Sequence, residues 1–474
     1  MFSVVSVSLL VDICYAGFCL VAAPYAVARA VSETGFRHAL AARLWARYPQ
    51  LRVPDRAALR IWIHGVSVGE VLASVPLVDG LRSSMPDTNG SATPRGSRDL
   101  IISSTTPAGV AVARRTYRDL PVMHFPFDFS GLVERALKTM RPGIIVLMEQ
   151  ELWPNMLEIA ARRGIPVVIL NGRMTARAFE RYAYIRGLAR TMFSRVALVC
   201  AIDAEHAERF VKCGMPPERV RVTGNMKYDA LAAGLRTSGP EVATPASIEG
   251  AAAESALKYR TMFGVKPSEL VIVAGSTHAP EEEWVLAAYA RLAERIANLR
   301  LLIAPRHIDR VPDIERMVKA AGYGVIRRSA AAGMTSPRDV CLLDTVGELR
   351  SVYCAADVVF VGGSLIPHGG QNVLEPAVLG KPIVFGPSMF NFADAAALLV
   401  ETGGAMQATC PEDLARALRV FVCDPDHARV AGAAGARAVS LRQGATARNI
   451  DAIFEIAAGG APPRRVRAMV AQKN

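Results

Sequence analysis

The chain is poor in aromatic residues, 7% of its 474 positions, and nowhere pairs two cysteines as C-x-x-C. Its eight cysteines (14, 19, 200, 213, 341, 354, 410 and 423) are scattered. That argues against a zinc site or a disulfide framework and fits a reducing compartment. Acidic residues are in the minority: 43 Asp and Glu against 55 Lys and Arg give a net charge of +12. Yet no block interleaves basic with aromatic side chains, the pattern that tracks a nucleic-acid backbone. No nucleic-acid partner is expected; an anionic membrane surface or an anionic substrate suits the charge better. Also missing is any Lys or Arg ahead of residue 29, so the start lacks the basic n-region of a secretory signal.

What stands there instead is an almost unbroken apolar run from Val4 to Ala28, long enough to cross a bilayer with some tilt. Residues 1–30 are expected to form a membrane-anchor helix. Arg29, Arg37, Arg43 and Arg47 follow it, which by the positive-inside rule leaves the rest of the chain on the cytoplasmic side. Asp12 and Pro24 speak for an interfacial helix that does not fully span. The Arg-rich stretch Phe36–Tyr48 is expected to continue along the surface.

From Arg60 onward, short β-branched runs alternate with helix-length segments. Ile61–Ile63, Leu100–Ile102, Ile144–Met148, Pro166–Leu170 and Val196–Cys200 read as buried parallel strands. A second series follows at Leu270–Ala274, Leu301–Ala304, Val340–Leu343, Val358–Val361 and Pro382–Phe385. This α/β order predicts two Rossmann-like, doubly wound domains facing a cleft. The first is assigned to 31–236 and the second to 255–460. A linker low in bulky apolar residues, 237–254, separates them, and a basic tail, 461–474, ends the chain. Met85–Arg98 reads as a polar loop.

Ligands of doubly wound sheets bind at the carboxyl ends of strands. Four such ends carry polar groups: His64 to Glu70, Glu149 to Asn155, Gly275 to His278, and Pro305 to His307. A fifth stretch, Gly362 to Pro376, sets two glycine pairs between an apolar strand and a helix start. Bare backbone N–H groups and a helix dipole there can hold a phosphate, and Glu375 can accept from the hydroxyls of a ribose. A tight turn with a dipole-favouring glutamate is the plainer alternative.

Together these motifs resemble the 3-deoxy-D-manno-octulosonic acid (Kdo) transferase family. The resemblance is carried by Ser67-Val68-Gly69-Glu70, Glu151-Leu152-Trp153-Pro154-Asn155, Gly224-Asn225-Met226-Lys227-Tyr228-Asp229 and the 362–375 loop. It departs at Gly65, where Ala is usual, at Asn171-Gly172-Arg173, where Asn-Ala-Arg is usual, and at the 85–98 loop, which looks inserted. The resemblance implies a metal-independent, inverting glycosyltransferase of GT-B fold, with no cofactor. It also implies a CMP-Kdo donor, a lipid A precursor (lipid IVA) as acceptor, and a place at the cell inner membrane. On that basis Glu70 is the expected general base, and Glu149 and Lys227 the transition-state stabilisers. The nucleotide contacts fall on Pro305, Arg306, Gly347, Glu348, Leu349, Asn372, Val373, Leu374 and Glu375. Glu151 reads as structural. His64, His278, His307 and His368 lie on four separate loops without metal-ligand spacing. A sugar-nucleotide 2-epimerase of the same fold, or a non-catalytic membrane-anchored nucleotide-binding module, is the competing reading.

Overall fold

A computed structural model describes residues 7–44, 48–49, 51, 59–84, 99–229, 245–330 and 339–459. The first residues of the apolar run, Arg47, the 85–98 loop, part of the expected linker and the 461–474 tail lie outside the described residues. The chain forms two units, residues 1–230 with 443–474, and residues 231–442.

The first unit is built on β1 (Ile61–His64), β2 (Leu100–Ser104), β3 (Val122–His124), β4 (Ile144–Met148), β5 (Val167–Gly172), β6 (Leu198–Ala201) and β7 (Val220–Val222). All pairs are parallel, in the order β3-β2-β1-β4-β5-β6-β7. Side chains alternate between the two faces, so Trp62 enters one core while Ile61 and Ile63 enter the other. Burial on both faces is why these strands read as continuous apolar runs.

The second unit repeats the plan with β8 (Leu270–Thr277), β9 (Leu299–Pro305), β10 (Val325–Arg327), β11 (Val340–Leu342), β12 (Val358–Val361), β13 (Ile383–Phe385) and β14 (Ala405–Gln407). Its order, β10-β11-β9-β8-β12-β13-β14, is again wholly parallel. In each sheet the strand order reverses about the first strand, between β1 and β4 and between β8 and β12, and in the second sheet β10 lies outside β11. Those switch points are where crossovers diverge and leave room for a ligand.

The second unit ends earlier than the pattern suggested. The helix Ala445–Ala457 joins the first unit, and three contacts explain the return. Asp229 caps it across the chain, accepting from Gly444 N at 2.7 Å and Thr446 N at 2.6 Å. Arg221 forms a two-pronged pair with Glu455 at 2.7 and 2.8 Å. Ile450, Ile453 and Ile456 complete a core face, and Gly80 lets Ile450 approach where an added Cβ would lie 2.4 Å from its Cδ1.

The apolar segment is a single helix, Val7–Ser32, which runs on through Pro24. Its Asp12 turns towards the first unit. There it accepts from Ser130 N at 2.9 Å, Ser130 Oγ at 2.5 Å and Asn155 Nδ2 at 2.8 Å. The helix Ser130–Met140 has no cap of its own, so Asp12 supplies one from 118 residues away. Arg43, expected at a lipid surface, instead donates to Phe125 O at 2.9 Å and lies 3.8 Å over the Phe127 ring. Leu9, Leu10, Ile13, Phe18, Leu20 and Val21 stay exposed. Replacing Asp12 with Ala should cost about 1–2 kcal/mol of stability, the usual range for a lost helix cap. Urea unfolding in detergent would show it; an unchanged midpoint would mean that the helix is not held this way.

Candidate active site

In the first unit the site begins where β1 ends. Ser67 caps the helix Val68–Ala73, its Oγ accepting from Glu70 N at 3.3 Å. The Glu70 carboxylate reaches back, taking Ser67 Oγ–H at 2.8 Å and Val66 N–H at 2.7 Å. This is a capping-box arrangement on the S-x-x-E spacing of Ser67 and Glu70. Gly69 is helical, and an added Cβ there would meet nothing closer than Ser67 Oγ at 3.8 Å. The turn therefore does not need the glycine. Glu70 is buried, and burial raises its pKa. The hydrogen bonds oppose that rise, and the charge of Glu149 adds to it.

Glu149 follows β4, the strand beside β1, and adopts a left-handed backbone at φ 61°. Such a conformation is costly for a residue with a Cβ and persists where the surroundings impose it. Glu151, two residues on, belongs to the same cluster. Burial first, then the charges of Glu70 and Glu149, push its pKa up to about 7. The expectation that Glu151 is merely structural overlooked this coupling. Lys227 lies exposed past the end of β7. Its loop is pinned by Asn171, also left-handed at φ 55°, whose Oδ1 accepts from Met226 N at 3.1 Å.

His64 has a different role. Its ring is fully buried, stacked 3.9 Å from the Phe125 ring, with Nδ1 3.0 Å from Ser103 Oγ. Burial pulls its pKa down to about 3, so it packs as a neutral imidazole.

In the second unit the glycine-rich loop after β12 differs from the expectation of bare N–H groups. Gly363, Ser364 and Leu365 donate to the buried carboxylate of Glu281 at 2.6, 3.0 and 3.0 Å. His278 N joins them at 3.0 Å. Gly362 packs against the loop after β8, where a Cβ would fall 2.6 Å from Thr277 Cα. These glycines serve close backbone approach rather than an open anion cradle.

The residues expected to take the nucleotide come from separate stretches, and part of them converge. Asn372 Oδ1 accepts from Leu374 N at 3.1 Å, and its Nδ2 donates to Glu375 at 3.0 Å. Val373 and Leu374 are buried. The pKa of Glu375 is raised by burial, against the neighbouring charge of Arg350. Arg350, in the helix Leu349–Tyr353, was missed by sequence reasoning; its Nε and Nη2 are buried without hydrogen-bond partners. Glu348 donates no free charge, being bound by Thr345 and by Arg328, the latter at 2.9 Å. Gly347, exposed at φ 87°, makes the turn ahead of that helix. Pro305 ends β9, and Arg306 follows it, exposed, its N–H on Thr277 O at 3.0 Å.

Among the described residues, no group of three His, Cys, Asp or Glu is placed to hold a metal ion. A cavity of about 280 Å³ in this unit lies at the opposite, amino edge of the sheet, lined by Leu270, Val271, Asp357 and Pro382. It is remote from these groups.

Two parallel, doubly wound sheets with titratable groups along their carboxyl edges are the GT-B architecture. The fold is shared with the UDP-GlcNAc 2-epimerase of Neisseria meningitidis, solved with UDP-GlcNAc bound. That similarity has a TM-score of 0.54 at 12% identity, covering 84% of this chain and all of that one. Sequence goes further than fold. The family described as 3-deoxy-D-manno-octulosonic-acid transferase (kdotransferase) matches residues 38–230. The 3-deoxy-D-manno-octulosonic acid transferase of Haemophilus influenzae is 32% identical over 394 residues, 82% of this chain and 86% of that protein. The enzyme of the same name from Bordetella pertussis is 31% identical over 412 residues, 85% and 88% of the two chains. The chain belongs to the Kdo transferase family.

The carboxylate cluster has a pH signature. Folded Glu151 keeps its proton to about pH 7, whereas the unfolded chain releases it near 4.5. Its contribution to stability is therefore full below that lower value and is lost as pH rises through the upper one. Glu151→Gln should remove that loss, gaining roughly 1–3 kcal/mol over the unmodified protein at pH 8 and little at pH 4. Urea midpoints across the pH range measure it. Parallel curves would mean that Glu151 ionises as in water.

Proposed function

We propose that the protein transfers Kdo from CMP-Kdo to a lipid A precursor, lipid IVA, with inversion at the anomeric carbon, in lipopolysaccharide synthesis. Membership of the family supports the reaction class. The observation that carries the mechanism is the Glu70 carboxylate, held at the end of β1 by Val66 N and Ser67 Oγ beside the charge of Glu149.

Glu70 takes the proton of the acceptor hydroxyl as that oxygen attacks the anomeric carbon. The raised pKa favours this, because a carboxylate with higher proton affinity is the stronger base. As the new C–O bond forms, the bond to the CMP phosphate breaks and the electron pair leaves on phosphate. Lys227 offsets negative charge developing on the leaving group or present on the sugar carboxylate. Glu149 positions a sugar hydroxyl or favours oxocarbenium charge. On the second unit, Asn372 and Glu375 suit the ribose, with Arg350 balancing the half-buried carboxylate, and Arg306 offers a planar fork to phosphate.

The acceptor's lipid nature fits the N-terminal helix, which is long and apolar enough to cross a membrane over Ser8–Tyr25. Because Asp12 and Tyr15 bind the first unit, with Tyr15 Oη donating to Asp128 at 3.3 Å, we read the helix as lying along the inner membrane rather than spanning it. The catalytic units then face the cytoplasm.

Glu70→Gln isolates the chemistry from the fold, since glutamine also completes a capping box. The variant should keep its unfolding midpoint to within about 0.5 kcal/mol and its CMP affinity, yet lose at least about 100-fold in turnover. Acceptor-dependent turnover close to the unmodified rate would remove Glu70 from the mechanism.

A further inference from the structure

Three histidines that sequence spacing keeps apart meet at the carboxyl edge of the second sheet. His278 follows β8, His307 follows β9 and His368 lies in the loop after β12, three adjacent strands. The His278 ring centroid is 4.2 Å from that of His368 and 5.6 Å from that of His307. Gln371 Nε2 stands 3.3 Å from His278 Nε2, which makes that nitrogen an acceptor and leaves Nδ1 to carry the proton. Arg306, the neighbour of His307, is exposed and forms no ion pair among the described residues.

The acids nearby are already engaged. Glu282 is buried and paired with Arg310 at 2.7 Å, and Glu281 is occupied by four backbone N–H groups. Three more N–H groups of the loop are taken too: Gly369 by Ser388 Oγ, Gly370 by Gly363 O and Gln371 by Gly362 O. Beside the three rings, the imidazole N–H groups and the Arg306 guanidinium offer an anion side-chain donors.

We infer that His278, His307 and His368, together with Arg306, form an oxyanion-binding cluster that grips the phosphate or the sugar carboxylate of the donor. The inference rests on the proposed nucleotide-sugar reading and adds to it the groups that bind the donor's charge. Its physical basis is the gathering of three imidazoles and a guanidinium beside acids that are already engaged. His278 is pushed down to about 4 by burial, by His368 and His307, and by Arg306, with only Glu282 opposing. An anion among these groups receives charge-assisted hydrogen bonds from Arg306 and from the imidazole N–H groups. His278, kept neutral, anchors the cluster, while the exposed His307 and His368 are free to adjust to the ligand.

The test is the double variant His307→Gln/His368→Gln, chosen because both side chains are exposed and the fold does not lean on them. Calorimetry compares CMP with cytidine, and kinetics gives the donor KM. If the cluster holds phosphate, CMP binding weakens about tenfold while cytidine is unaffected. If it holds the carboxylate, donor KM rises about tenfold with CMP binding unchanged. Unchanged CMP affinity together with unchanged donor KM overturns the inference. The broader reading is judged separately on the unmodified protein, by its preference for CMP over UMP and GMP. Should another nucleotide win, that nucleotide and its nucleoside replace CMP and cytidine in the same comparison.

Discussion

Loops that leave a parallel sheet carry backbone N–H groups that no neighbouring strand can satisfy, and burying them unpaired is costly. In this protein carboxylates take them. Glu70 holds Val66, Asp128 holds Asn155 and Met156, and Asp12 holds Ser130. Asp229 holds Gly444 and Thr446, and Glu281 holds four groups from two loops. The bonds of Glu70, Asp128, Asp12 and Glu281 fix strand-to-helix turns at the edge where ligands of doubly wound sheets bind, and those of Asp229 fix the start of the last helix. The same constraint bends the backbone: Glu149 and Ser276, each just beyond or within a switch-point strand, sit in the left-handed region without being glycine.

Charge placed for folding is also placed for chemistry. Glu70 caps its helix while burial and Glu149 raise its proton affinity, so the carboxylate that serves the helix is also the one proposed as the base. Its pairing with Glu149 and Glu151 follows from β1 and β4 being neighbours, which sets the ends of both strands side by side. Asp12 shows the same economy on the apolar helix, where a residue that is unfavourable in lipid becomes the cap of a helix in the first unit.

Much of this was legible in the sequence, and the parts that were not share a cause. All ten expected strands exist, because interior strands of a parallel sheet are buried on both faces and read as apolar runs. The four strands without an expectation, β3, β7, β10 and β14, are the edges of the two sheets. They are three residues long and only partly buried, so Val325-Ile326-Arg327 leaves no run to detect. The return of the last helix was illegible for another reason: Asp229 and Arg221 act across more than 200 residues of sequence. At the site, local patterns such as Ser67-x-x-Glu70 survive reading by eye. Groupings made by strand adjacency do not. Three histidines on separate loops meet only once β9, β8 and β12 are known to be neighbours. Glu281, in a run of three glutamates at a helix start, gives no hint that it alone fills the glycine loop.

As a Kdo transferase, the protein should carry out sugar transfer rather than rearrangement or simple binding of a nucleotide sugar. Release of CMP from CMP-Kdo by the purified protein, followed with and without a lipid A precursor, tests it most directly. The account predicts that CMP appears only with the lipid and in step with Kdo attached to it. CMP released equally without lipid, or an altered nucleotide sugar formed with no transfer, would contradict it.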